Sequence, residues 1–242
     1  MRKKKNGEKR LSACEQILYK HSGEPLADAS APFGLTGARV YLEIGAGKGA
    51  FAIGMSKREP DVCYYAMERV TDCVMIAAER AMADTEVKNL RFIIDTADNL
   101  TRIFSQGSID AIFLNFSDPW SKKGYAKRRL THRRYLAVYF NLLKDGGKLC
   151  FKTDNTGLFD FSLEEISAMG LELSKLTRDL HSSQYNEGNI MTEYETAFSE
   201  KGVSINMLEV KKPEGFAPEI SEELSASGRN YRGKERTTLD EK

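Results

Sequence analysis

The stretch Glu43-Ile44-Gly45-Ala46-Gly47-Lys48-Gly49 sets a carboxylate two residues before three glycines at alternate positions. Glycines allow a tight turn and let a ligand approach backbone that a side chain would shield. Two phosphate-binding patterns fail on spacing. A P-loop needs G-x-x-x-x-G-K-[ST], and the dinucleotide fingerprint needs G-x-G-x-x-G, whereas here the glycines run 45, 47, 49 and residue 50 is Ala. Glu43 would also repel a pyrophosphate, so the turn suits a cation; the plainer reading is a turn that only joins strand to helix. Glu68 ends Y-Y-A-M-E-R, 25 residues after Glu43. A carboxylate there accepts both hydroxyls of a ribose, or is simply a solvated strand end. In I-I-D-T-A-D, Asp95, Thr96 and Asp98 offer polar groups to an adenine amino group, and spacing does not choose among them. Asn115-Phe116-Ser117-Asp118-Pro119-Trp120 contains the only tryptophan. Pro119 biases Asp118 toward extended backbone, which holds its carboxylate beside an aromatic plate suited to base stacking or to anchoring a loop.

A ligand with an ammonium and a sulfonium and no phosphate matches an acidic residue beside a glycine turn, and S-adenosylmethionine is such a ligand. The charge distribution points to a second, anionic partner. The net charge is only +1, but residues 1–10 carry six basic and one acidic side chain, and residues 122–134 carry seven basic and none acidic. The remainder holds 23 basic against 34 acidic residues, a net of −11. A +7 segment on an acidic body fits a polyanion, because Lys and Arg gain from counterion release at phosphates. A charge run alone reads equally as a solvated face.

These residues need elements to position them. Apolar periodicity predicts strands at 39–44, 62–67, 90–94, 109–116 and 148–153, and helices at 11–20, 50–58, 70–83, 135–143 and 159–168. Extended segments at 171–177 and 203–210 flank a helix at 192–200. Strands alternating with helices imply an α/β fold with a mostly parallel central sheet and helices on both faces, its ligand site at the carboxyl ends of the strands. Residues 1–38 read as a basic arm with a short helix, 39–211 as the main domain, and 212–242 as a flexible tail rich in Pro, Gly, Glu and Ser. No apolar run approaches the roughly 18 residues of a membrane span, and no C-x-x-C pair suggests a metal. Cys14, Cys63, Cys73 and Cys150 are expected to be reduced, mostly buried thiols in cytoplasm.

Taken together, E-I-G-A-G-K-G, N-F-S-D-P-W-S-K-K, K-R-R-L, F-K-T-D-N and T-E-Y-E resemble the bacterial tRNA (guanine-N7-)-methyltransferase family, from about Phe33-Gly34 to Val210. The resemblance implies a Rossmann-like class I methyltransferase fold, S-adenosyl-L-methionine as donor, and N7 of a guanosine in the tRNA variable loop as acceptor. By motif position it implies donor-site roles for Glu43, Gly45, Gly47, Glu68, Asp118 and either Asp95 or Thr96, with Asp118 also catalytic. Lys122, Asp154, Thr192, Glu193, Tyr194 and Glu195 fall on the guanosine side, and Gly124, Tyr125, Ala126, Lys127, Arg128 and Arg129 on the RNA. The family's D-P-W-P-K-K-R-H becomes D-P-W-S-K-K-G-Y here, so Ser121, Gly124 and Tyr125 replace a Pro, an Arg and a His.

Guanine N7 attacks through a lone pair and carries no proton, so no catalytic His is required. His21, His132 and His181 are read as structural. Asp154 is also a candidate helix cap, and Thr192 with its following acids is a capping pattern. Two rivals share these features. An amino-methyltransferase of the same fold carries a related [NDS]-P-P-[YFW] motif, and a non-catalytic RNA-binding protein could keep the pocket without turnover. The expected partner is tRNA, without membrane or metal, for a monomer or homodimer.

Overall fold

The computed structural model describes residues 6–225. Seven strands form one sheet: β1 (Val40–Ile44), β2 (Cys63–Met67), β3 (Leu90–Ile93), β4 (Ile109–Asn115), β5 (Leu143–Thr153), β6 (Leu173–Thr177) and β7 (Asn206–Lys211). Their order is β3-β2-β1-β4-β5-β7-β6. The first five are parallel, and β7 runs antiparallel to both β5 and β6. The order reverses between β1 and β4, so the loops leaving those strands diverge and open a crevice at their carboxyl ends.

Alternation along β1 feeds two apolar layers. Val40, Leu42 and Ile44 join one core with α4 (Arg133–Leu142) and α5 (Thr156–Ala168). Tyr41 joins the other with α2 (Ala50–Arg58) and α3 (Thr71–Ala83). Burial on both faces explains why these strands read as continuous apolar runs. With its helices on both faces of a mostly parallel sheet, the protein has a Rossmann-like α/β fold.

Several boundaries depart from the sequence pattern for local reasons. The helix expected at 11–20 is instead α1 (Gly7–Ala13) and a 3-10 turn at Glu15–Ile17. Leu18 is then extended and bridges Phe92, and Tyr19 N–H donates to the Phe92 carbonyl at 2.8 Å, so pairing on the β3 edge overrides helix propensity. α4 starts at Arg133 because His132 Nδ1 accepts from the Arg134 amide. α5 starts at Thr156, capped by Asn155, whose Oδ1 accepts from Leu158 N at 2.8 Å; Asp154 is not the cap. β5 begins at Leu143, and the Asp145-Gly146-Gly147 turn interrupts its register with β4.

Residues 18–38 lie against the domain: Tyr65 Oη donates to the Ala29 carbonyl and Ser105 Oγ to that of Leu26. At the other end, Phe216 meets Phe140, Asn141 donates to the Pro218 carbonyl and Leu224 is buried, so 212–225 pack on the core. The expected tail beyond 225, and Met1–Lys5 of the basic arm, lie outside the described residues. All four cysteines are thiols: Cys14 and Cys63 are buried, Cys73 and Cys150 half-buried. Among the described residues no helix is long and apolar enough to cross a membrane, and no group of three or more His, Cys, Asp or Glu could hold a metal.

Candidate active site

A cavity of about 580 Å³ opens at the carboxyl ends of β1–β4, a size within the usual range for small-molecule sites. Its wall takes Gly45 from the glycine turn, Glu68 from the β2 tip, Asp95 and Thr96 after β3, and Asp118 and Trp120 after β4. Arg128 and Arg134 from the basic segment complete the rim. The acidic strand ends and part of the cationic run therefore share one cleft.

The glycine turn is built for approach. Gly45 and Gly47 have φ of +84° and +55°, in the left-handed region, and nothing would lie within 4 Å of a Cβ on either. At Gly49 a Cβ would come within 2.8 Å of the Ala77 methyl, so this third glycine lets α2 pack against α3. Gly47 N–H donates to Glu68 Oε2 at 3.1 Å, tying the turn to the β2 tip, and Glu68 Oε1 accepts from Val70 N at 2.8 Å.

Glu43 lies beneath this turn rather than on the wall, only 2% exposed. Its Oε1 accepts from Asn115 Nδ2 at 2.9 Å, and its Oε2 has no partner. Burial pushes the carboxyl up to about 7, although Asn115 and Lys152 pull the other way. A buried carboxylate with an unsatisfied oxygen is costly unless a cation or donor reaches it.

Asp95 rather than Thr96 carries the third-strand hydrogen-bond network. Its Oδ1 accepts from Thr96 N and Asn99 Nδ2, both at 2.7 Å, and its Oδ2 meets His21 Nε2 at 2.7 Å. Thr96 lines the cavity beside it. His21, read as a loop residue, clamps the N-terminal segment onto the site. Asp98 accepts from Arg134 at 3.1 Å and from Tyr135 Oη at 2.9 Å.

The Asp118 loop is strained at both ends. Phe116 and Trp120 have φ of +53° and +42°, uncommon for residues with bulky side chains. The Asp118 side chain is 69% exposed and faces Arg69 at 3.7 Å. Arg129, expected on RNA, instead fastens this loop: its guanidinium donates to the Pro119 and Trp120 carbonyls at 3.0 and 3.2 Å and lies over Phe161. Arg128 rests on the rings of Trp120 and Tyr125 at 5.0 and 4.6 Å. Arg133 pairs with Glu165 at 2.8 Å. Gly124, Tyr125, Lys127 and Lys122 are exposed, and Ala126 half-buried.

The 181–199 segment closes the far side of the glycine turn. Thr192 caps α6 (Glu193–Ser199), its Oγ1 accepting from Glu195 N at 2.9 Å. Glu193 reaches Lys48 of the turn at 3.8 Å and also pairs with Arg80. Tyr194 stacks on Phe198 and meets Phe116 at a tilt, and burial, with a smaller push from Asp154, raises its hydroxyl's pKa. Glu195, by contrast, has a fully buried side chain already engaged by Lys152, Asn189 and His181. Burial would raise this carboxyl, but those three partners outweigh it and hold it below the ordinary range. Spacing along the chain gave no sign of the pairings of His21 with Asp95, Arg134 with Asp98 or Lys152 with Glu195, which join residues distant in sequence.

The fold is shared with solved methyltransferases. An antibiotic-related methyltransferase aligns with a TM-score of 0.56 at 15% identity, covering 80% of this chain and 98% of its own. The 16S rRNA methyltransferase KamB aligns with 0.56 at 11%, covering 72% and 88%. A variant of the 16S rRNA (adenine(1408)-N(1))-methyltransferase from Catenulisporales acidiphilia, with cosubstrate SAM, aligns with 0.51 at 11%, covering 90% and 96%. Residues 37–208 match the family described as "Putative methyltransferase", which spans the glycine turn, every strand tip of the cavity and α6, and the chain belongs to that family.

Proposed function

We propose that the cavity binds S-adenosylmethionine and that the protein methylates N7 of a guanosine in the tRNA variable loop, forming 7-methylguanosine. The observation that carries this reading is the meeting, in one cleft, of the Glu68 and Asp118 carboxylates with Trp120 and Arg128, the latter lying over both Trp120 and Tyr125. Two solved structures with this fold are named as rRNA methyltransferases, and an RNA acceptor here is in keeping with the cationic rim.

The residues present fit the donor. The unpartnered Glu43 Oε2 suits an ammonium arriving over Gly45 and Gly47. Glu68 has spare lone pairs for ribose hydroxyls, and Asp95 and Thr96 offer polar groups at the adenine end. The donor supplies an electrophilic methyl group on a sulfonium. The protein's own task is placement, since N7 has no proton to remove and in-line positioning lowers the barrier by several kcal/mol. As N7 is alkylated the purine becomes positive, and Asp118 at the tip of β4 stabilises that charge. Lys122, Asp154, Thr192, Glu193 and Tyr194 border the acceptor side, while Gly124, Tyr125, Ala126, Lys127 and Arg128 meet the RNA.

The test is methylation of a tRNA transcript with labelled donor, followed by mapping of the modified base. Label at N7 of a variable-loop guanosine supports the reading. Label on an exocyclic amine, or none from protein that S-adenosylhomocysteine stabilises against heat, overturns it.

A further inference from the structure

Lys152, at the carboxyl end of β5, has a side chain only 7% exposed. Its ammonium has three protons and three acceptors: Glu195 Oε2 at 2.6 Å, Asn189 Oδ1 at 3.0 Å and the Ile190 carbonyl at 3.1 Å. All three belong to the segment that carries Thr192–Tyr194. The same ammonium lies over the Phe116 ring at 6.0 Å and the Phe51 ring at 5.1 Å, and the Lys152 carbonyl accepts from Phe116 N at 2.9 Å. Phe116 in turn begins the strained loop to Asp118 and touches Tyr194. One buried residue thus holds two separate pieces of chain, the Asp118 loop, which lines the cleft, and the start of α6, which meets that loop where Tyr194 touches Phe116. The start of α6 has no strand neighbour, while the Asp118 loop leaves β5 after the Phe116 amide and is held further on by Arg129.

We propose that Lys152 is a positioning residue for the acceptor: by fastening 189–195 and the Phe116–Asp118 loop to one ammonium, it fixes the acceptor nucleotide relative to the donor pocket without touching either. This rests on the reading of the acceptor as a tRNA guanosine. Lys152 does not line the donor cavity, but its charge pulls the buried Glu43 carboxyl down, so acceptor placement is separated from donor binding in a Glu43→Gln background, where that coupling is absent.

Lys152→Met keeps the length of the side chain and removes the three hydrogen bonds. Because it leaves Glu195 buried without a counter-charge, Lys152→Met/Glu195→Leu is prepared alongside it to remove both charges. In either folded variant, amide hydrogen exchange across 189–195 and 116–118 is expected to quicken at least tenfold while β1 and β2 keep their protection. KM for tRNA is expected to rise about tenfold, and in the Glu43→Gln background the same change is expected to leave S-adenosylhomocysteine affinity within twofold. A folded variant with wild-type KM for tRNA overturns the proposal, as does unchanged exchange in both segments or a parallel loss of donor affinity in the Glu43→Gln background. A wild-type protein that methylates no tRNA instead overturns the reading of the substrate, and that control is run first.

Discussion

Glu43 is the group whose chemistry should depend most directly on pH. Burial holds it near 7 in the ligand-free protein, so it is half-protonated at neutral pH. A cationic ligand reaching Oε2 favours the ionised form, and binding below pH 7 must first release a proton. Apparent donor affinity therefore rises with pH and levels off above about 7. With a midpoint of about 7, the dissociation constant weakens about 25-fold from pH 7.5 to pH 5.5, or about 2 kcal/mol. Calorimetric titration of S-adenosylmethionine across that window, in buffers of different ionisation enthalpy, reads both the slope and the proton release. Glu43→Gln keeps the shape and the contact with Asn115 but cannot titrate, so its affinity should be lower at pH 7.5 and lose this slope. The same residue acts oppositely on stability. Its folded-state pKa is raised above its unfolded value of about 4.5, so its contribution is fully present below about 4.5 and lost as pH rises through about 7. The loss is at most about 3 kcal/mol. Glu43→Gln should consequently melt above wild type at pH 8 while binding donor more weakly. Equal pH slopes in wild type and variant would refute this reasoning.

Asp118→Asn should cut methyl transfer by about 10²–10³, yet move the unfolding free energy by no more than about 0.5 kcal/mol, because the exposed pair with Arg69 contributes little; near-normal turnover of the folded variant removes the assignment. Arg129→Ala, which frees the Pro119 and Trp120 carbonyls, should lower stability by about 1–2 kcal/mol in chemical denaturation and raise KM for tRNA. A variant that weakens RNA binding without loss of stability would return Arg129 to the RNA surface. With Lys122, Lys127 and Arg128 as the phosphate contacts, the log–log plot of tRNA affinity against salt should have a slope of about −2 to −3, measurable by filter binding, and a flat plot would exclude the basic segment.

What the sequence made legible follows from what local periodicity can encode. β1 to β4 are buried along almost all of their length, so each is a mostly apolar run bounded by turn residues, and a polar residue at the end of such a run stands out: Glu68, Asp95 and Asp118 all lie at the cleft. Pairings across the fold leave no such mark. His21 and Asp95 are 74 residues apart, and Lys152 and Glu195 are 43 apart. T-E-Y-E accordingly reads as one stretch of acceptor-facing groups, whereas the helical turn that directs Tyr194 into the aromatic stack carries the Glu195 carboxylate inward to Lys152. The basic run shows the same limit. Its seven charges look equivalent along the chain, but Arg129, Arg133 and Arg134 are engaged with loop carbonyls, Glu165 and Asp98. Those three cations hold parts of the fold in place, and Arg128 with the exposed Lys122 and Lys127 remains to meet an anion. The proposed contact with RNA and the geometry of the Asp118 loop therefore fall to different members of one run, and charge removal at each position should divide them.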